Sequence, residues 1–492
     1  MTSITPARLA GDAIGISQQE ISDFAKIVGQ DHVLTGTADR FCYSRDRLPY
    51  GLFKLRDHGL PGTLASLVLS PGDADEIQAI VNYARSHKIC LIPFGAGSGV
   101  LGGTIPLVNE VMVDLKRMNR ILDINAIDGT VTVQAGMNGM QFEQALNAQG
   151  FTAGHLPQSI AMSTVGGWVA CRGAGQASSR YGKIEDMVLG LKAVLPNGQK
   201  LDVRPVARRA VGPSIKDLMV GSEGVFGFIT EVTLRIWRQP EHASALVLAF
   251  PSIEAGFTAL REIMQSELRP EVIRLYDTIE SAQRTEGMAE FDDRPILCIM
   301  KFSGKEKLAN AERDISYAIC HQHGAVTAGM APYEHWEKTR FHSYSTKWQS
   351  EGYYMDTIEV TGTWTHLPDM YVAMRDAAKA IHPEMHFGAH WSHIYAEGAC
   401  QYMTVRLPPM PIEQALPLHY SAWETIERIC LEMGGSVAHH HGAGLFRNAW
   451  VQTELNEGLN MLQLLKDGLD PDNLINPGKL ALRQPVGTVW NT

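Results

Sequence analysis

The chain has 492 residues, of which 45% are hydrophobic and 20% charged, and its formal net charge is −10. These proportions are ordinary for a globular protein. The chain is longer than chains that fold around a single hydrophobic core, so we expect two or more lobes. An acidic chain lacks the basic face that nucleic-acid binding requires, so we expect no nucleic-acid partner. No apolar run reaches membrane-spanning length, and we expect neither a secretory signal nor a peroxisomal address.

The number and spacing of the cysteines also limit the class of protein. There are seven of them, scattered along the chain without a CxxC pair. Regularly spaced or paired cysteines would indicate a disulfide framework or a zinc site. Because the cysteines here are scattered, we expect neither. A cytoplasmic location fits best. We expect a small-molecule substrate and a homodimer, with a membrane surface as partner only if the substrate is a lipid.

The predicted elements begin with a partly helical segment, residues 1–60, and continue with a domain over residues 61–240. SLVLSP is predicted as a short strand, residues 73–87 as a helix with one apolar stripe, and Ile89–Pro93 as a second strand, which together form a βαβ unit.

The strand VMVDL follows, and then two strands that meet at a tight turn at Asp128-Gly129. Strands and helices alternate again over residues 241–467, which predicts a separate cap domain with one covered sheet face. A helix is predicted over residues 449–467. Residues 468–492, which contain LDPDNLINPGKL, are expected to return to the first domain. The predicted fold class is therefore α+β, with two lobes.

A glycine-rich loop separates Ile89–Pro93 from VMVDL. Gly97 to Gly102 match the GxGxxG dinucleotide pattern, which requires a helix to begin at the glycines. Here the chain continues as an extended segment through Leu107, and no Gly-Lys-Ser/Thr follows, so neither a Rossmann nor a Walker loop is favoured. The remaining interpretation is a run of backbone N–H groups suited to an anion such as a diphosphate.

Two further small-residue clusters, residues 163–182 and 221–234, strengthen this interpretation because small residues let the backbone approach a planar ligand closely. The alternative is that these glycines only make turns, and for a single cluster that alternative is the stronger one. Three clusters within about 140 residues favour a ligand.

The order of four segments carries a family resemblance: PFGAGSGVLGG, GHLPQSIAMSTVGGWVACRGAG, YGKIEDMVLGLKAVLPNG and GSEGVFGFITEVTLRI. They resemble the FAD-binding, PCMH-type domain of the vanillyl-alcohol-oxidase flavoprotein superfamily over roughly residues 60–240. The resemblance implies FAD, and His155 is a candidate for its covalent attachment, although we expect a hydrogen-bonding or packing role. The residues it places at FAD are Pro93, Gly95, Ala96, Gly97, Ser98, Gly99, Gly103, Pro157, Ser163, Thr164, Gly166, Gly167, Arg172, Gly173, Gly175, Tyr181, Glu223, Gly224, Gly227 and Ile229.

The C-terminal half is most similar to the alkyldihydroxyacetonephosphate synthase family, in PEVIRLYD, SHIYAEGACQY and SVAHHHGAGLFR. This resemblance implies that a small set of side chains lines the substrate side of the flavin. The set comprises Arg274, Tyr395, His439, His440, His441 and Arg447.

The chemistry of these residues fits such a site. In an extended segment His439 and His441 would face one way and His440 the other. Clustered imidazoles depress one another's protonation, so one remains neutral and able to act as a base, with His441 the leading candidate. Tyr395 offers a phenol, and Arg274 and Arg447 offer cations for a phosphate or carboxylate.

The alternatives are a structural salt bridge for either arginine, and a structural or metal cluster for the histidines. We predict no metal. The chain has Leu445 where the synthase pattern has a lysine, which removes a cation expected near a substrate phosphate. The HxGDGNxH motif of metal-assisted hydroxy-acid dehydrogenases is absent, and His440 occupies the position of their EHG carboxylate.

The expected function is a FAD-dependent oxidoreductase that oxidises an alcohol or hydroxy acid by hydride transfer to flavin N5, with His441 or Tyr395 removing a proton. The alternative is the synthase reaction, in which an acyl group is exchanged for an alkyl group through a flavin N5 adduct.

Overall fold

Three large β-sheets organise the computed structural model, which describes residues 15–59, 63–343 and 345–485. Residues 1–14 of the predicted N-terminal segment and residues 486–492 of the predicted C-terminal segment lie outside the described residues. The N-terminal part is helical as predicted, with helices Gln18–Val28, Thr37–Tyr43 and Pro49–His58. Short 3-10 turns are found at Gln30–His32, Leu115–Arg117, Ile160–Met162 and Ala289–Phe291.

The first sheet has the spatial order Val33–Leu34, Leu67–Leu69, Val111–Asp114 and Leu91–Phe94. Its last three strands are parallel, and the first pairs antiparallel. The helix Ala74–His87 connects Leu67–Leu69 to Leu91–Phe94, as predicted, and Asp73 caps it by accepting two backbone N–H bonds. The predicted βαβ unit therefore exists, but Val111–Asp114 is inserted between its two strands.

The second sheet is antiparallel, with the order Ile121–Asn125, Thr130–Gln134, Phe228–Arg235, Val188–Val194 and Lys200–Val203. A small pair, Phe151–Thr152 with Trp237–Arg238, lies beside it. The helices of this region are Gly139–Asn147, Val165–Ala170, Ser178–Tyr181, Ile184–Met187 and Ile215–Met219.

The third sheet is antiparallel and has seven strands, in the order Val326–Thr327, His242–Phe250, Ile296–Gly304, Val272–Tyr276, His386–Ile394, Gly398–Leu407 and Tyr354–Thr363. Its helices are Ile253–Gln265, Thr278–Ala282, Glu306–Gln322, Ala331–Thr339, Ser345–Ser350, Leu367–Ile381 and Ile412–Glu432. The alternating stretch HIYAEGACQYMTVRL is a hairpin between two of these strands.

The two faces of the third sheet differ in chemistry, because side chains alternate along a strand. On the strand His386–Ile394, Phe387, Ala389 and Trp391 are buried against helices in the largest apolar core. The opposite face carries His386 and His390 into a cavity. Covering one face with helices thus leaves the other face available for a polar site.

The C-terminal segment returns to the first sheet, as predicted. The predicted helix over residues 449–467 is two helices, Asn448–Leu455 and Glu457–Leu469, which meet at Asn456 with φ +45°. Beyond them, Leu91 N–H donates to the Leu474 carbonyl at 2.7 Å, and Asn476 N–H donates to the Leu91 carbonyl at 2.8 Å.

The structure confirms an α+β fold with a mixed sheet, an antiparallel sheet and a larger helix-covered sheet. No helix among the described residues has the length and apolarity needed to cross a membrane.

Candidate active site

A cavity of about 980 Å³ lies between the glycine-rich loops and the polar face of the third sheet. Most of the residues that the sequence assigned to FAD line it. They are Pro93, Gly95, Ala96, Gly97, Ser98, Gly99, Gly103, Pro157, Ser163, Thr164, Gly166, Gly167, Gly173, Glu223, Gly224, Gly227 and Ile229. The third sheet contributes Arg274, Tyr276, His386, His390, Ser392, His393, Tyr402, Thr404 and Arg406.

Three residues predicted at FAD do not line this cavity. The half-exposed Arg172 side chain forms an ion pair with Glu185 at 3.3 Å. A Cβ atom on Gly175 would lie 2.4 Å from Leu156 N, so this glycine serves backbone packing. The Tyr181 ring packs on Trp237, with ring centroids 4.9 Å apart. The structure therefore gives these three residues packing and surface roles.

The glycine loop has the form expected of an anion cradle. No helix begins at its glycines, and the chain continues irregularly to the strand Val111–Asp114. Within the described chain, the backbone N–H groups of Gly97, Ser98 and Gly99 have no acceptor. A Cβ on Gly99 would have Asp46 Oδ2 as its nearest neighbour, at 3.8 Å. This open approach to unpaired donors fits a diphosphate group.

His155 gives a second indication that the cavity holds a polar, planar ligand. Its side chain is 1% exposed, and neither ring nitrogen finds a hydrogen-bond partner among the described residues. The ring packs on Trp168 at 4.6 Å and lines the cavity. Burial lowers the pKa of His155 to about 3, so the ring is neutral. A bound cofactor would supply the missing partner, so the residues present fit FAD.

The three consecutive histidines lie in a bent segment. The predicted alternation is therefore wrong: His440 and His441 both line the cavity, whereas His439 lies behind them. His439 Nδ1 and His440 Nδ1 are 3.0 Å apart, in hydrogen-bond contact rather than on opposite faces. Burial is the largest cause that lowers the pKa of all three rings, so they are neutral near pH 7.

Glu359, on the strand Tyr354–Thr363, fixes this bend. Its fully buried carboxylate accepts the backbone N–H of His439 at 2.6 Å, of His440 at 3.4 Å and of His441 at 3.0 Å. Burial by itself raises the pKa of Glu359, but the buried Arg447 guanidinium beside it lowers that pKa well below its ordinary value. An ionised carboxylate inside a nest of N–H groups thus shapes the loop.

Arg447 has a structural role, which differs from the predicted one. Its guanidinium is fully buried and donates to Glu359 Oε1 at 3.0 Å, to Glu427 Oε1 at 2.9 Å and to two backbone carbonyls. Arg447 does not line the cavity. Its guanidinium is already bonded to the Glu359 carboxylate and to the Glu427 carboxyl group, so it is not available to a substrate anion.

The other side of the loop is held by Glu223. Its carboxylate accepts the backbone N–H of Ala443 at 2.6 Å and of Gly444 at 2.8 Å. The side chain of Asn476 donates to the Glu223 carbonyl at 2.6 Å and to the Gly103 carbonyl at 3.1 Å. Glu223 therefore ties the histidine loop, the glycine loop and the C-terminal segment together.

Tyr395 lies outside the cavity wall and belongs to a hydrogen-bonded chain behind it. Its hydroxyl lies 3.0 Å from His439 Nε2 and 3.2 Å from Ser178 Oγ, and Ser178 Oγ lies 2.7 Å from His393 Nδ1. Burial raises the pKa of Tyr395, so the phenol stays protonated. Since His440 and His393 both line the cavity, this chain begins and ends at it, which suits a proton relay.

Arg274, which the sequence placed on the substrate side of the flavin, lines the cavity. It donates to the Tyr276 hydroxyl at 2.8 Å and lies 2.7 Å from His390 Nε2, without a carboxylate partner among the described residues. Burial lowers the pKa of His390 to about 4. Although burial alone raises the pKa of Glu280, His390 and the nearby arginines lower it to about 2. Arg274 is thus a cation on the cavity wall whose hydrogen-bond partners are neutral.

Sequence reasoning missed Glu359, His390, His393, Tyr402 and Arg406. Four of these lie on two neighbouring strands, His386–Ile394 and Gly398–Leu407, where polar residues alternate with apolar ones. The period-two pattern would have identified His390, Tyr402 and Arg406. No local sequence pattern identifies Glu359, because its hydrogen-bond partners lie about 80 residues further along the chain.

One group of side chains has the composition of a metal site: Glu359, Cys400, His439 and His440 have ligand atoms within 4.8 Å of one another. However, both oxygens of Glu359 already accept backbone N–H bonds, and one is paired with Arg447. A metal cation would compete with a guanidinium 3.0 Å away. We therefore assign this group to the structure of the loop.

Glu359→Gln tests whether the buried carboxylate holds the loop. The change keeps the side-chain size but removes the charge that Arg447 and the N–H nest require. We expect the free energy of unfolding to fall by about 3 kcal/mol in urea denaturation. Glu432→Gln, which removes an exposed partner of Arg428, is the control and should change stability by less than about 0.5 kcal/mol. Equal stability of both variants would contradict the assigned role.

The lowered pKa of His155 predicts that the stability of the protein depends on pH. Its pKa is about 3 in the folded protein and near 6.5 in the unfolded chain, so between these values the unfolded chain binds more protons. Its stabilising contribution is therefore lost as the pH falls through this window. We expect His155→Phe to flatten the decline of the melting temperature between pH 6.5 and pH 4 relative to the unchanged protein, with exposed His58→Phe as control. Parallel profiles would argue against a neutral buried His155.

Gly99→Leu tests the cradle. A Cβ atom at position 99 meets no protein atom closer than 3.8 Å, and the added side chain lies in the cavity in which FAD is expected. We expect at least a tenfold loss of flavin per chain, on the order of 1.4 kcal/mol or more, with an unchanged circular dichroism spectrum. Gly458→Leu is the control, since a Cβ there meets nothing within 4 Å. Full flavin occupancy of Gly99→Leu would place the cofactor elsewhere.

Comparisons with known proteins agree with this geometry. A FAD binding domain family matches residues 65–204, and the family of FAD linked oxidases, C-terminal domain, matches residues 239–480. An uncharacterized FAD-linked oxidoreductase of Escherichia coli strain K12 is 30% identical over 95% of this chain and 99% of its own length. Alkyldihydroxyacetonephosphate synthase of Trypanosoma brucei brucei is 27% identical over 96% of this chain and 82% of its own length.

Solved structures show the same fold. A structure of alkyldihydroxyacetonephosphate synthase superposes with a TM-score of 0.81 at 24% identity, covering 96% of this chain and 87% of that one. A 4-ethylphenol oxidase from Gulosibacter chungangensis superposes with a TM-score of 0.78 at 17% identity, over 96% and 98% of the two chains. The predicted vanillyl-alcohol-oxidase-type fold and FAD as cofactor are thus confirmed, and the chain belongs to the family of FAD-linked oxidoreductases.

Proposed function

We propose that this flavoenzyme oxidises a small alcohol or hydroxy acid, with His441 as the base that takes the hydroxyl proton. The observation that carries the proposal is the position of His441, a neutral imidazole on the wall of the cavity that the glycine loops also line. Bound FAD supplies the acceptor for two electrons.

The geometry of His441 suits a base. Its Nδ1 is buried without a hydrogen-bond partner among the described residues and lies 3.9 Å from Glu359 Oε1. This orientation leaves Nε2 as the ring nitrogen for a substrate hydroxyl. The proton gained there is stabilised by the carboxylate of Glu359, while burial keeps the resting imidazole neutral. His441 therefore combines a free acceptor atom with a nearby negative charge.

Two further features support a polar substrate. Arg274 lies on the cavity wall, 2.7 Å from His390 Nε2, and has no carboxylate partner in the described chain, so it can pair with a carboxylate or phosphate of the substrate. The chain from His440 through His439, Tyr395 and Ser178 to His393 can pass a proton between two points of the cavity wall. Tyr395 then relays a proton rather than removing one from the substrate.

The synthase reaction is the second candidate, because the relatives of this chain include alkyldihydroxyacetonephosphate synthases. Leu445, which stands in place of the expected lysine, is 1% exposed and packs near Gly102, outside the cavity wall. This position therefore supplies no cation to a substrate phosphate. This departure places the oxidoreductase first.

An anaerobic titration separates the two reactions. We expect 2-hydroxy acids or polar alcohols to bleach the flavin absorbance and to yield the corresponding carbonyl product. Addition of an acylated dihydroxyacetone phosphate and a fatty alcohol should leave the flavin oxidised and release no fatty acid. Release of fatty acid with formation of an ether product would support the synthase and overturn the proposal. FAD-loaded protein that performs neither reaction would overturn both.

His441→Gln tests the base. We expect kcat to fall by about 10² to 10⁴ while the flavin content and the melting temperature stay unchanged. In the unchanged enzyme kcat/KM should be constant through neutral pH and fall on the acid side, because the pKa of His441 is lowered from 6.5. His58→Gln, at an exposed position, is the control. Retention of kcat in His441→Gln would assign the base to another group.

A further inference from the structure

An exposed loop joins the strand Lys200–Val203 to the helix Ile215–Met219, and we call residues 204–216 the arginine loop. Its apolar side chains are unusually open to solvent: Val211 is 82% exposed, Ile215 47% and Val206 43%. Exposed apolar residues are common on any surface, so these three carry an argument only together with the charge of the same loop.

The same loop is basic. It contains Arg204, Arg208, Arg209 and Lys216 and no acidic residue, in a chain whose net charge is −10. Among the described residues, none of the three arginines forms an ion pair, whereas Lys216 pairs with Asp217 at 2.7 Å. The arginine loop thus presents three cations without a carboxylate partner in the described chain, beside exposed apolar side chains.

The loop has a definite shape. The Arg209 guanidinium donates to the backbone carbonyl of Arg204, which closes the first half of the loop. Gly212 has φ +63°, and a Cβ there would meet no atom within 4 Å, so it lies at an open turn next to Val211. Since every residue from Arg204 to Ile215 is exposed, the loop is a protrusion rather than a groove.

We infer that the arginine loop binds the surface of an anionic phospholipid bilayer. Arginine side chains pair with lipid phosphates, while Val211 and Ile215 enter the boundary between headgroups and acyl chains. A nucleic acid would use the arginines but leave the apolar side chains exposed. A stable protein interface needs roughly 20–30 residues on each side, more than this protrusion offers. An anionic bilayer can bind both the arginines and the exposed apolar side chains of the loop.

This inference is independent of the reaction that the enzyme catalyses, because the arginine loop does not contribute to the cavity wall. It concerns peripheral attachment only. Its charge component requires anionic lipid and is screened by salt, and its apolar component depends on insertion at the tip.

Co-sedimentation of the full FAD-loaded chain with vesicles tests the inference. We expect binding to phosphatidylcholine vesicles that contain phosphatidylglycerol, at least about tenfold weaker binding to phosphatidylcholine alone, and release by high salt. The double variant Arg208→Glu and Arg209→Glu should weaken binding to the anionic vesicles at least about tenfold. Val211→Asp should weaken it several-fold at constant salt.

Matched controls keep the test specific. Arg261→Glu with Lys307→Glu makes the same change in net charge at other exposed positions. Met461→Ser with Leu464→Ser removes exposed apolar side chains from a helix outside the loop. Both controls should bind as the unchanged protein does, and all variants should keep their flavin content and circular dichroism spectrum.

Three outcomes would overturn the inference. The first is the absence of binding to anionic vesicles, and the second is a loss in the controls equal to that in the loop variants. The third is tighter binding to a soluble polyanion, such as polyglutamate or single-stranded DNA, that does not depend on Val211. The last result would assign the arginines to a soluble acidic partner.

Discussion

The buried carboxylate of Glu359 is the constraint on which the active site depends. Three consecutive backbone N–H groups and one guanidinium converge on it, in a place that water does not reach. A charge in such a place is tolerated only when its hydrogen bonds and its counter-charge are complete. The site therefore has little freedom: the loop must bend around the carboxylate, and Arg447 must stay beside it.

This constraint also sets the chemistry of the imidazoles. Because Glu359 is bound to backbone N–H groups and to Arg447, it does not need a protonated histidine as a partner. Burial then lowers the pKa of His439, His440 and His441, and they remain neutral. Neutral imidazoles accept protons, and a negative charge close by stabilises the proton once it has been gained. The carboxylate of Glu359 is thus compatible with the neutral imidazole and stabilises the protonated one.

The sequence allowed much of the fold to be predicted, because the signals concerned are local. The helix Ala74–His87 follows from its apolar stripe and its Asp73 cap, and the glycine loop follows from residues that act through their own backbone. The position of Val111–Asp114 between two earlier strands could not be predicted, because strand order depends on pairings between distant segments. The same limit explains the error in the histidine segment. An isolated run of three residues was expected to be extended, but a carboxylate about 80 residues away in the chain bends it.

Arg447 shows why residue type alone does not define a role. The resemblance placed it among substrate-binding residues, and its charge suits a phosphate, yet Glu359 and Glu427 enclose it. Arg274, of the same type, faces the cavity with only neutral partners. What distinguishes the two is the arrangement of carboxylates, which the fold brings from separate elements. Glu223 then fastens the far end of the same loop to the glycine cradle, so the base and the cofactor site are positioned by one short segment held between two carboxylates. The relative position of the two lobes is therefore fixed where the chemistry takes place.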